Sequence, residues 1–248
     1  MSRYSDFAYC YDALMGDVDY SARTEYLLEL FRKFGEAPTL MLDVACGTGK
    51  FSTEFAKRGI EVIGTDPSED MLAVARENTA EAGLDILYLC QAAEELDLYG
   101  TVDGAICCMD SINHITDKAV LGEAFKKVSL FLEPQKLFIF DVNTVYKHRN
   151  ILENNTYVLD EDGIYCVWQN ELNSDRNETL ITLDFFTEED GCYYRSGEEF
   201  FERGYTFDEL EELLTAAGLK TEAIYSDMTQ KPPEETCQRA IFVCRKLN

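Results

Sequence analysis

The most diagnostic stretch of this chain reads Leu42-Asp43-Val44-Ala45-Cys46-Gly47-Thr48-Gly49-Lys50-Phe51-Ser52, and Val62-Ile63-Gly64-Thr65-Asp66 follows it. An apolar run ends in a glycine-containing loop, a helix-like segment begins there, and a second apolar run ends in an acid. This order is typical of the nucleoside-binding half of a doubly wound sheet. Gly47 and Gly49 let the backbone pass close to a ligand, because glycine has no Cβ and adopts positive φ. Asp66 would accept hydrogen bonds from a ribose diol, so the sequence predicts an adenosine-containing cofactor.

The residues around the two glycines discriminate between three kinds of cofactor. A Walker A phosphate loop needs glycine and serine or threonine where Val44 and Phe51 stand. A dinucleotide loop of the G-x-G-x-x-G type would have glycine or alanine in place of Ser52. Asp43, just ahead of the loop, would repel a diphosphate but attract a cationic ligand. S-adenosylmethionine carries an ammonium and a sulfonium, so it fits this loop better than a nicotinamide dinucleotide of an oxidoreductase.

At these residues the chain resembles the class I S-adenosylmethionine-dependent methyltransferases. Their first motif reads hydrophobic-Asp-hydrophobic-x-Cys/Gly-Gly-x-Gly, and residues 42–49 match it. The opening Phe7-Ala8-Tyr9-Cys10-Tyr11-Asp12 is similar to that of small bacterial methyltransferases, a group that includes sugar-amine N-methyltransferases of antibiotic biosynthesis. The resemblance extends over nearly the whole chain, through residues 107–115 and 140–143. It implies a Rossmann-like methyltransferase fold and methyl transfer to a nitrogen or oxygen of a small molecule, and it leaves the acceptor open.

Strand-like and helix-like segments alternate as in an α/β protein with a doubly wound, seven-stranded, mostly parallel sheet. Strands are predicted at 39–45, 61–65, 86–90, 102–108, 136–141, 219–226 and 237–245, and helices at 21–34, 50–58, 68–82, 117–132 and 206–217. The last helix opens with a capping box of Thr206 and Glu209. Residues 156–203 alternate with period two, with turn signals at Asp162-Gly163 and Asp190-Gly191. We therefore expect a cofactor-binding domain of residues 1–155 and 204–248, and an inserted antiparallel β lid of residues 156–203.

Composition narrows the class of protein and its partners. The 248 residues, 46% of them apolar, suffice for one sizeable core with room for an insertion. No run approaches the roughly 18 apolar residues of a membrane span, and residues 1–6 lack a signal-peptide core, so a cytoplasmic protein is expected. The net charge of −25 would repel a nucleic-acid backbone, which favours small-molecule partners.

The cysteines and histidines argue against a metal site. The nine cysteines form no C-x-x-C pair, and the chain has only two histidines. A structural zinc site is therefore not expected, and no metal is assigned. Cysteines in strand-like runs, such as Cys90 and Cys107, are expected to be buried reduced thiols.

The resemblance implies one set of cofactor-contacting residues. They are Asp43, Ala45, Cys46, Gly47, Thr48, Gly49, Asp66, Pro67, Met71, Ala92, Ala93, Glu94, Met109 and Asp110. Asp43 is expected both to orient the loop and to face the methionine ammonium. Asp66 is expected on the ribose, with a helix N-cap as its alternative role. Met71 is expected in the core, although in the family this position also flanks the adenine.

The third motif departs from the family pattern. The family has an acid after its third strand that accepts hydrogen bonds from the adenine amino group, and Ala92 stands there. The N–H of Ala93 can still donate to adenine N1, and Glu94 can reach the amino group. Losing one hydrogen bond to a neutral group costs ~0.5–1.5 kcal/mol, which binding should survive. The departure leaves open an alternative function, a non-catalytic S-adenosylmethionine-binding or sensor protein.

His114 and Tyr11 are the candidate catalytic residues. The sulfonium is already a strong electrophile, so positioning of the nucleophile supplies much of the acceleration. His114 follows the fourth strand, where ligands of such folds bind, and residues 111–114 match a Ser-x-x-His run of the sugar-amine methyltransferases. It would act as a general base, position the acceptor, or serve only the structure. Tyr11 would lie over the methyl group or orient an amine, and His148 is expected at the surface. The apolar face of the insertion should line the acceptor pocket or form a homodimer contact.

Overall fold

The computed structural model describes residues 4–161 and 163–248, which form two β-sheets and a set of helices. The strands are β1 (Leu40–Val44), β2 (Glu61–Asp66), β3 (Leu87–Cys90), β4 (Val102–Cys107), β5 (Leu132–Asn143), β6 (Thr156–Glu161), β7 (Ile164–Asn173), β8 (Glu178–Glu189), β9 (Cys192–Arg203), β10 (Leu219–Ser226) and β11 (Arg239–Lys246). The helices are α1 (Tyr4–Leu14), α2 (Tyr20–Phe34), α3 (Lys50–Lys57), α4 (Glu69–Glu81), α5 (Lys118–Phe131), α6 (Val145–Lys147) and α7 (Phe207–Ala216). Two 3₁₀ turns (Ala93–Glu95, Ser111–His114) and a π-helical turn (His148–Leu152) complete the elements.

The larger sheet has seven strands in the order β10-β11-β5-β4-β1-β2-β3. Strands β1 to β5 pair in parallel, and β11 pairs antiparallel with both β5 and β10. The order reverses between β1 and β4, which is where open α/β sheets bind ligands outside the carboxyl ends of their strands. The predicted doubly wound, mostly parallel sheet is confirmed.

Helices cover both faces of this sheet. Successive strand residues point to opposite sides, and apolar residues on both sides are buried under helices. Leu42 of β1 packs with Phe138, Phe140 and Phe242 on the face covered by α5 and α7. Met41 points to the other face and packs with residues of α2. Asp43 shares the face of Met41, so the only charged residue of β1 is directed toward α2 and α3 at the carboxyl end of the strand.

The second sheet is antiparallel, in the order β6-β7-β8-β9, and its strands run from Thr156 to Arg203. One face is apolar and packs on Cys10 of α1 through Cys166, Ile181, Leu183 and Phe185. The other face leaves aromatic side chains exposed, with 52% of Phe201 accessible. The predicted antiparallel layer is confirmed, and α1 lies between it and α4.

Several local predictions are also confirmed. Thr206 and Glu209 form the capping box of α7. Asp190 and Gly191 form the two-residue β8–β9 turn with φ of 51° and 77°, as a type I′ hairpin requires. Asp162, in the other predicted turn, lies outside the described residues, as do residues 1–3 of the predicted cofactor domain.

Three expectations were wrong or incomplete. Helix α1 forms at residues 4–14, where no helix is predicted, and β5 is longer than the predicted 136–141. Cys90 is exposed rather than buried because it ends β3 at the edge of the sheet, whereas Cys107 of the interior strand β4 is buried. All nine cysteines are free thiols. No described helix is long and apolar enough to cross a bilayer.

Candidate functional site

The loop after β1 is built from residues in left-handed conformation. Ala45, Gly47 and Gly49 have φ of 54°, 54° and 73°. At Gly49, the residue before α3, a Cβ would collide with the Tyr88 hydroxyl. At Gly47 a Cβ would meet nothing within 4 Å, so this side of the loop is open. The backbone therefore closes against the sheet at one glycine and offers free space for a ligand at the other.

Asp66 joins this loop to the end of β2. Its Oδ2 accepts a hydrogen bond from the Gly47 N–H and its Oδ1 from the Ser68 N–H, each at 2.9 Å. Ser68 is the N-cap of α4 and accepts from the Met71 N–H, so the alternative role of Asp66 as N-cap was wrong. Burial raises the pKa of Asp66, whose residue is 7% exposed. An ionised carboxylate has about four lone-pair sites, so further hydrogen bonds from a ligand can be accepted.

Asp43 is buried and tied to the first turn of α3. Its Oδ2 accepts a hydrogen bond from the Ser52 hydroxyl at 2.6 Å. Burial raises the pKa of Asp43 to about 7, and the nearby charge of Asp66 adds to this shift. Two buried carboxyl groups at one edge of the sheet are stabilised as anions by a cationic ligand.

Asp12 of α1 contacts the loop after β1 and the start of α3. Its Oδ1 accepts from the Thr48 hydroxyl at 2.6 Å, and its Oδ2 lies 2.7 Å from Lys50 Nζ. The Asn78 amide of α4 donates both to Asp12 Oδ2 and to the Thr48 carbonyl, at 3.0 and 2.9 Å. In the sequence, Asp12 is recognisable only as the last residue of the opening motif.

The third-motif residues lie beside Asp66. Ala92 precedes the 3₁₀ turn that contains Ala93 and Glu94, and all three are half-buried. The neighbouring Gln91 N–H donates to the Asp66 carbonyl at 3.2 Å. Of the remaining candidates here, Pro67 is exposed, and Met71 is half-buried at the start of α4 rather than in the core.

The chain turns sharply after β4 at Met109 and Asp110, which are left-handed with φ of 58° and 55°. Such a conformation costs a non-glycine residue about 1–2 kcal/mol and needs support from the surroundings. Asp141 of β5 supplies it by accepting from both N–H groups, at 2.8 and 2.7 Å. Arg239 of β11 forms ion pairs with both Asp141 and Asp110. Although burial opposes its ionisation, Asp110 has a lowered pKa because of Arg239 and Lys147.

His114 ends the 3₁₀ turn that follows Asp110. Its ring packs against that of Phe200 of β9 in a tilted arrangement, with centroids 4.9 Å apart, and its Nε2 lies 3.7 Å from Glu202 Oε1. Desolvation in this cleft lowers the pKa of His114 even though 45% of the side chain is accessible, while Asp110 and Asp66 oppose the shift. The ring is therefore mostly neutral at pH 7, with one nitrogen free to accept a proton.

Tyr11 lies on α1 near the same site. Burial raises its pKa well above the ordinary value, and the neighbouring Tyr20 and Asp110 raise it further. Both predicted catalytic residues, Tyr11 and His114, thus lie within electrostatic reach of Asp110.

The prediction that His148 lies at the surface was wrong. The residue is fully buried, because Gly204 has no side chain and the His148 ring occupies that space. Its Nδ1 lies 3.0 Å from the Thr179 hydroxyl, and its Nε2 has no hydrogen-bond partner but lies 3.8 Å from Glu202 Oε2.

Four further residues contact the candidate site and were not predicted from the sequence. They are Asp12, Asp141, Glu202 and Arg239. The sequence does contain an indication for Glu202, because it lies two residues after Phe200 on the same face of β9 and is an acid on the apolar face of the second sheet. The other three needed the tertiary structure.

The chain is similar to known proteins in both sequence and fold. A family model described as a methyltransferase domain matches residues 41–135. YqeM of Bacillus subtilis (strain 168), a protein provisionally named a methyltransferase, is 30% identical over 244 residues, which are 98% of this chain and 97% of that protein. The crystal structure of an S-adenosylmethionine-dependent methyltransferase from Clostridium acetobutylicum ATCC 824 is similar over 100% of both chains, with a TM-score of 0.90 and 29% identity. The sugar N-methyltransferase KedS8 from Streptoalloteichus sp. ATCC 53650 shares the fold, with a TM-score of 0.80, 18% identity and coverage of 97% of this chain and 93% of that one.

Proposed function

Because the chain belongs to the class I S-adenosylmethionine-dependent methyltransferases, we propose that it transfers the methyl group of this cofactor to a nitrogen or oxygen of a small molecule. The acceptor would enter at the carboxyl edge of the seven-stranded sheet, between His114 and Tyr11. The observation that carries the proposal is the closure of the left-handed loop onto Asp66, through its bond from the Gly47 N–H.

The residues of this edge fit the cofactor. The open side of Gly47 leaves space for it, and Asp66 has acceptor capacity left for the ribose hydroxyls. Asp43 would face the ammonium. The positive charge of the ammonium would stabilise the ionised Asp43 carboxylate, which burial disfavours. The remaining proposed contacts come from the loop (Ala45, Cys46, Thr48, Gly49), from α4 and its start (Pro67, Met71), from the third motif (Ala92, Ala93, Glu94) and from the turn after β4 (Met109, Asp110).

The methyl-transfer step itself needs no acid or base once the acceptor carries a free lone pair. When bound, S-adenosylmethionine supplies a methyl group attached to a positively charged sulfur. The neutral thioether that remains after transfer, S-adenosylhomocysteine, is a good leaving group. The chain's own residues would hold the acceptor nucleophile in line with that methyl group and exclude water. His114 would contact the acceptor, because its ring is neutral, partly exposed and packed against Phe200. Tyr11 would remain a protonated hydrogen-bond donor at physiological pH, because its pKa is raised.

An amine is the first class of acceptor to test. KedS8, a sugar N-methyltransferase, shares this fold, and the edge of the sheet carries the buried carboxyl groups of Asp43 and Asp66 and the half-buried one of Asp110. The net charge of −25 favours a cationic metabolite over a nucleic acid. We further propose a cytoplasmic location, consistent with nine free thiols, and a division into a cofactor domain and an inserted lid of residues 156–203.

Release of S-adenosylhomocysteine tests the proposal directly. The purified protein is incubated with S-adenosylmethionine and pools of small amines and alcohols, and product is quantified by mass spectrometry. We expect acceptor-dependent release in at least one pool. Tight cofactor binding without release in any pool, including a total metabolite extract, would favour the sensor alternative that Ala92 suggested.

A further inference from the structure

Glu202 brings a carboxyl group from the second sheet into the proposed acceptor site. The residue follows Phe200 on the inward register of β9, and its side chain is 5% exposed. Its Oε1 lies 3.7 Å from His114 Nε2, and its Oε2 accepts a hydrogen bond from the Asn143 amide at 3.3 Å. The same strand therefore places an aromatic ring and a carboxyl group against His114.

The position of Glu202 is fixed by hydrogen bonds between distant parts of the chain. The Asn113 amide, one residue before His114, donates to the carbonyl of Arg203 at 2.8 Å and to that of Asn143 at 2.9 Å. The Asn143 amide donates to Asp110 Oδ2 at 2.9 Å as well as to Glu202. The turn after β4, strand β5 and the end of β9 therefore form one rigid unit around the two carboxyl groups.

The charges around Glu202 are unbalanced. Asp110 has Arg239 as its ion-pair partner, whereas the only basic side chains within ion-pair distance of Glu202 among the described residues are His114 and His148. Burial lowers the pKa of both histidines, to about 4 for His148, so neither supplies a positive charge at neutral pH. The other charged groups that face Glu202 are Asp110, Lys147 and Arg239.

Buried His148 also favours the protonated form of Glu202. Its Nδ1 is near the Thr179 hydroxyl, while its Nε2 has no hydrogen-bond partner and faces Glu202 Oε2. A neutral histidine that donates from Nδ1 presents a lone pair at Nε2. This lone pair would stabilise a proton on Glu202 and would repel the ionised carboxylate.

We propose that Glu202 is the group that accepts a proton from the methyl acceptor, and that this acceptor is an amine that enters as its ammonium ion. The inference rests on the proposed methyltransferase function and specifies its substrate class. The N–H bond of the ammonium breaks and its proton forms an O–H bond with the Glu202 carboxylate. The freed nitrogen lone pair then forms the N–C bond while the carbon–sulfur bond breaks and its electron pair stays on sulfur. His114 positions the amine and Glu202 holds the proton.

The protonation equilibrium of Glu202 suits this role. Burial, followed by the charge of Asp110, raises the pKa of Glu202, while Asn143, Lys147 and Arg239 act in the opposite direction. A raised pKa brings the carboxylate closer to an aliphatic amine in proton affinity, which makes it a better base than an exposed glutamate. Its ionised form becomes more populated as pH rises, so this step becomes faster with pH.

The test compares pH–rate profiles of the wild type and Glu202→Gln with benzylamine and cyclohexylamine as probes, and benzyl alcohol and cyclohexanol as matched alcohols. An aliphatic amine with a pKa near 10 is only about 0.1% neutral at pH 7, and without Glu202 the enzyme depends on that fraction. We therefore expect Glu202→Gln to lower kcat/KM for the amine by ~10²–10³-fold at pH 7. The loss should shrink below about tenfold near pH 10, where solvent removes the proton.

Controls separate this outcome from structural damage and from failure of the methyltransferase function. Glu199→Gln, an exposed neighbour on β9, should leave both profiles unchanged, and Glu202→Gln should bind S-adenosylmethionine within about twofold of wild type. Parallel profiles of wild type and Glu202→Gln, turnover of alcohols but not amines, or loss of turnover on chelation with recovery on Zn²⁺ addition would each overturn the proposal for Glu202. Absence of S-adenosylmethionine binding would count against the proposed function itself.

Discussion

Asp43 and Asp66 are two carboxyl groups that the fold withdraws from water a short distance apart. Each has a hydrogen-bond partner from the local backbone or a hydroxyl, but burial raises the pKa of both. A positively charged ligand would stabilise the ionised forms of these carboxyl groups, which burial disfavours. These residues therefore explain at the smallest scale why a cationic cofactor suits this loop better than a diphosphate.

The affinity for S-adenosylmethionine should rise with pH because of Asp43. With a pKa of about 7, Asp43 is mostly protonated at pH 6 and mostly ionised at pH 8. If the ammonium binds only the ionised form, Kd should fall by up to ~tenfold between these values. Titration calorimetry at pH 6, 7 and 8 measures the change.

Two controls identify the group responsible. S-adenosylhomocysteine keeps the ammonium and lacks the sulfonium, so it should show the same dependence. Asp43→Asn should flatten the curve. A wild-type Kd that does not change with pH would mean that Asp43 does not face the ammonium.

Ala92 offers a second test at the residue scale. Ala92→Asp would supply the acceptor that the family has for the adenine amino group, which should tighten S-adenosylmethionine binding by up to about tenfold. The measurement is the Kd for S-adenosylmethionine by calorimetry. Weaker binding would show instead that Glu94 or water already satisfies the amino group.

At the scale of elements, α1 acts on the cofactor loop through one side chain. Asp12 contacts Thr48, Lys50 and Asn78, while the opposite side of α1 packs on the second sheet through Cys10. The helix therefore connects the loop after β1 to the inserted sheet. We propose that α1 covers the bound cofactor, which would then leave only when these contacts break.

Asp12→Ala should accelerate cofactor dissociation. The change removes three polar contacts, each worth ~0.5–1.5 kcal/mol, from the attachment of α1. We expect the dissociation rate of S-adenosylhomocysteine to rise by about tenfold or more, measured by stopped-flow displacement. Asp17→Ala, an exposed aspartate just after α1, is the control and should not change the rate. Equal rates for Asp12→Ala and wild type would show that α1 does not retain the cofactor.

At the scale of the whole molecule, the predictable part of the fold is the part encoded by local patterns. The strands and helices of the seven-stranded sheet follow apolar periodicity and caps such as the Thr206–Glu209 box. Helix α1 was missed because its Cys10 packs on the inserted sheet, more than 150 residues away in the chain. His148 was misplaced because the space it fills is left by Gly204, which no local pattern reveals.

The site divides in the same way. Asp43, Gly47 and Asp66 lie within one strand–loop–helix–strand unit, so sequence spacing alone brings them together. Glu202 and Arg239 reach His114 and Asp110 only through the pairing of β9 and β11 with their neighbours. The arrangement of the proposed cofactor half was therefore predictable from the sequence, and most of the proposed acceptor half was not.

The central claim is that the loop after β1 and Asp66 bind S-adenosylmethionine. Titration calorimetry of wild type, Asp66→Ala and the exposed control Asp85→Ala tests it most directly. Hydrogen bonds to a charged group are worth ~1.5–3 kcal/mol, so Asp66→Ala should weaken binding at least tenfold while Asp85→Ala binds as wild type does. Circular dichroism should show that both variants are folded. An unchanged Kd in a folded Asp66→Ala protein would contradict the account.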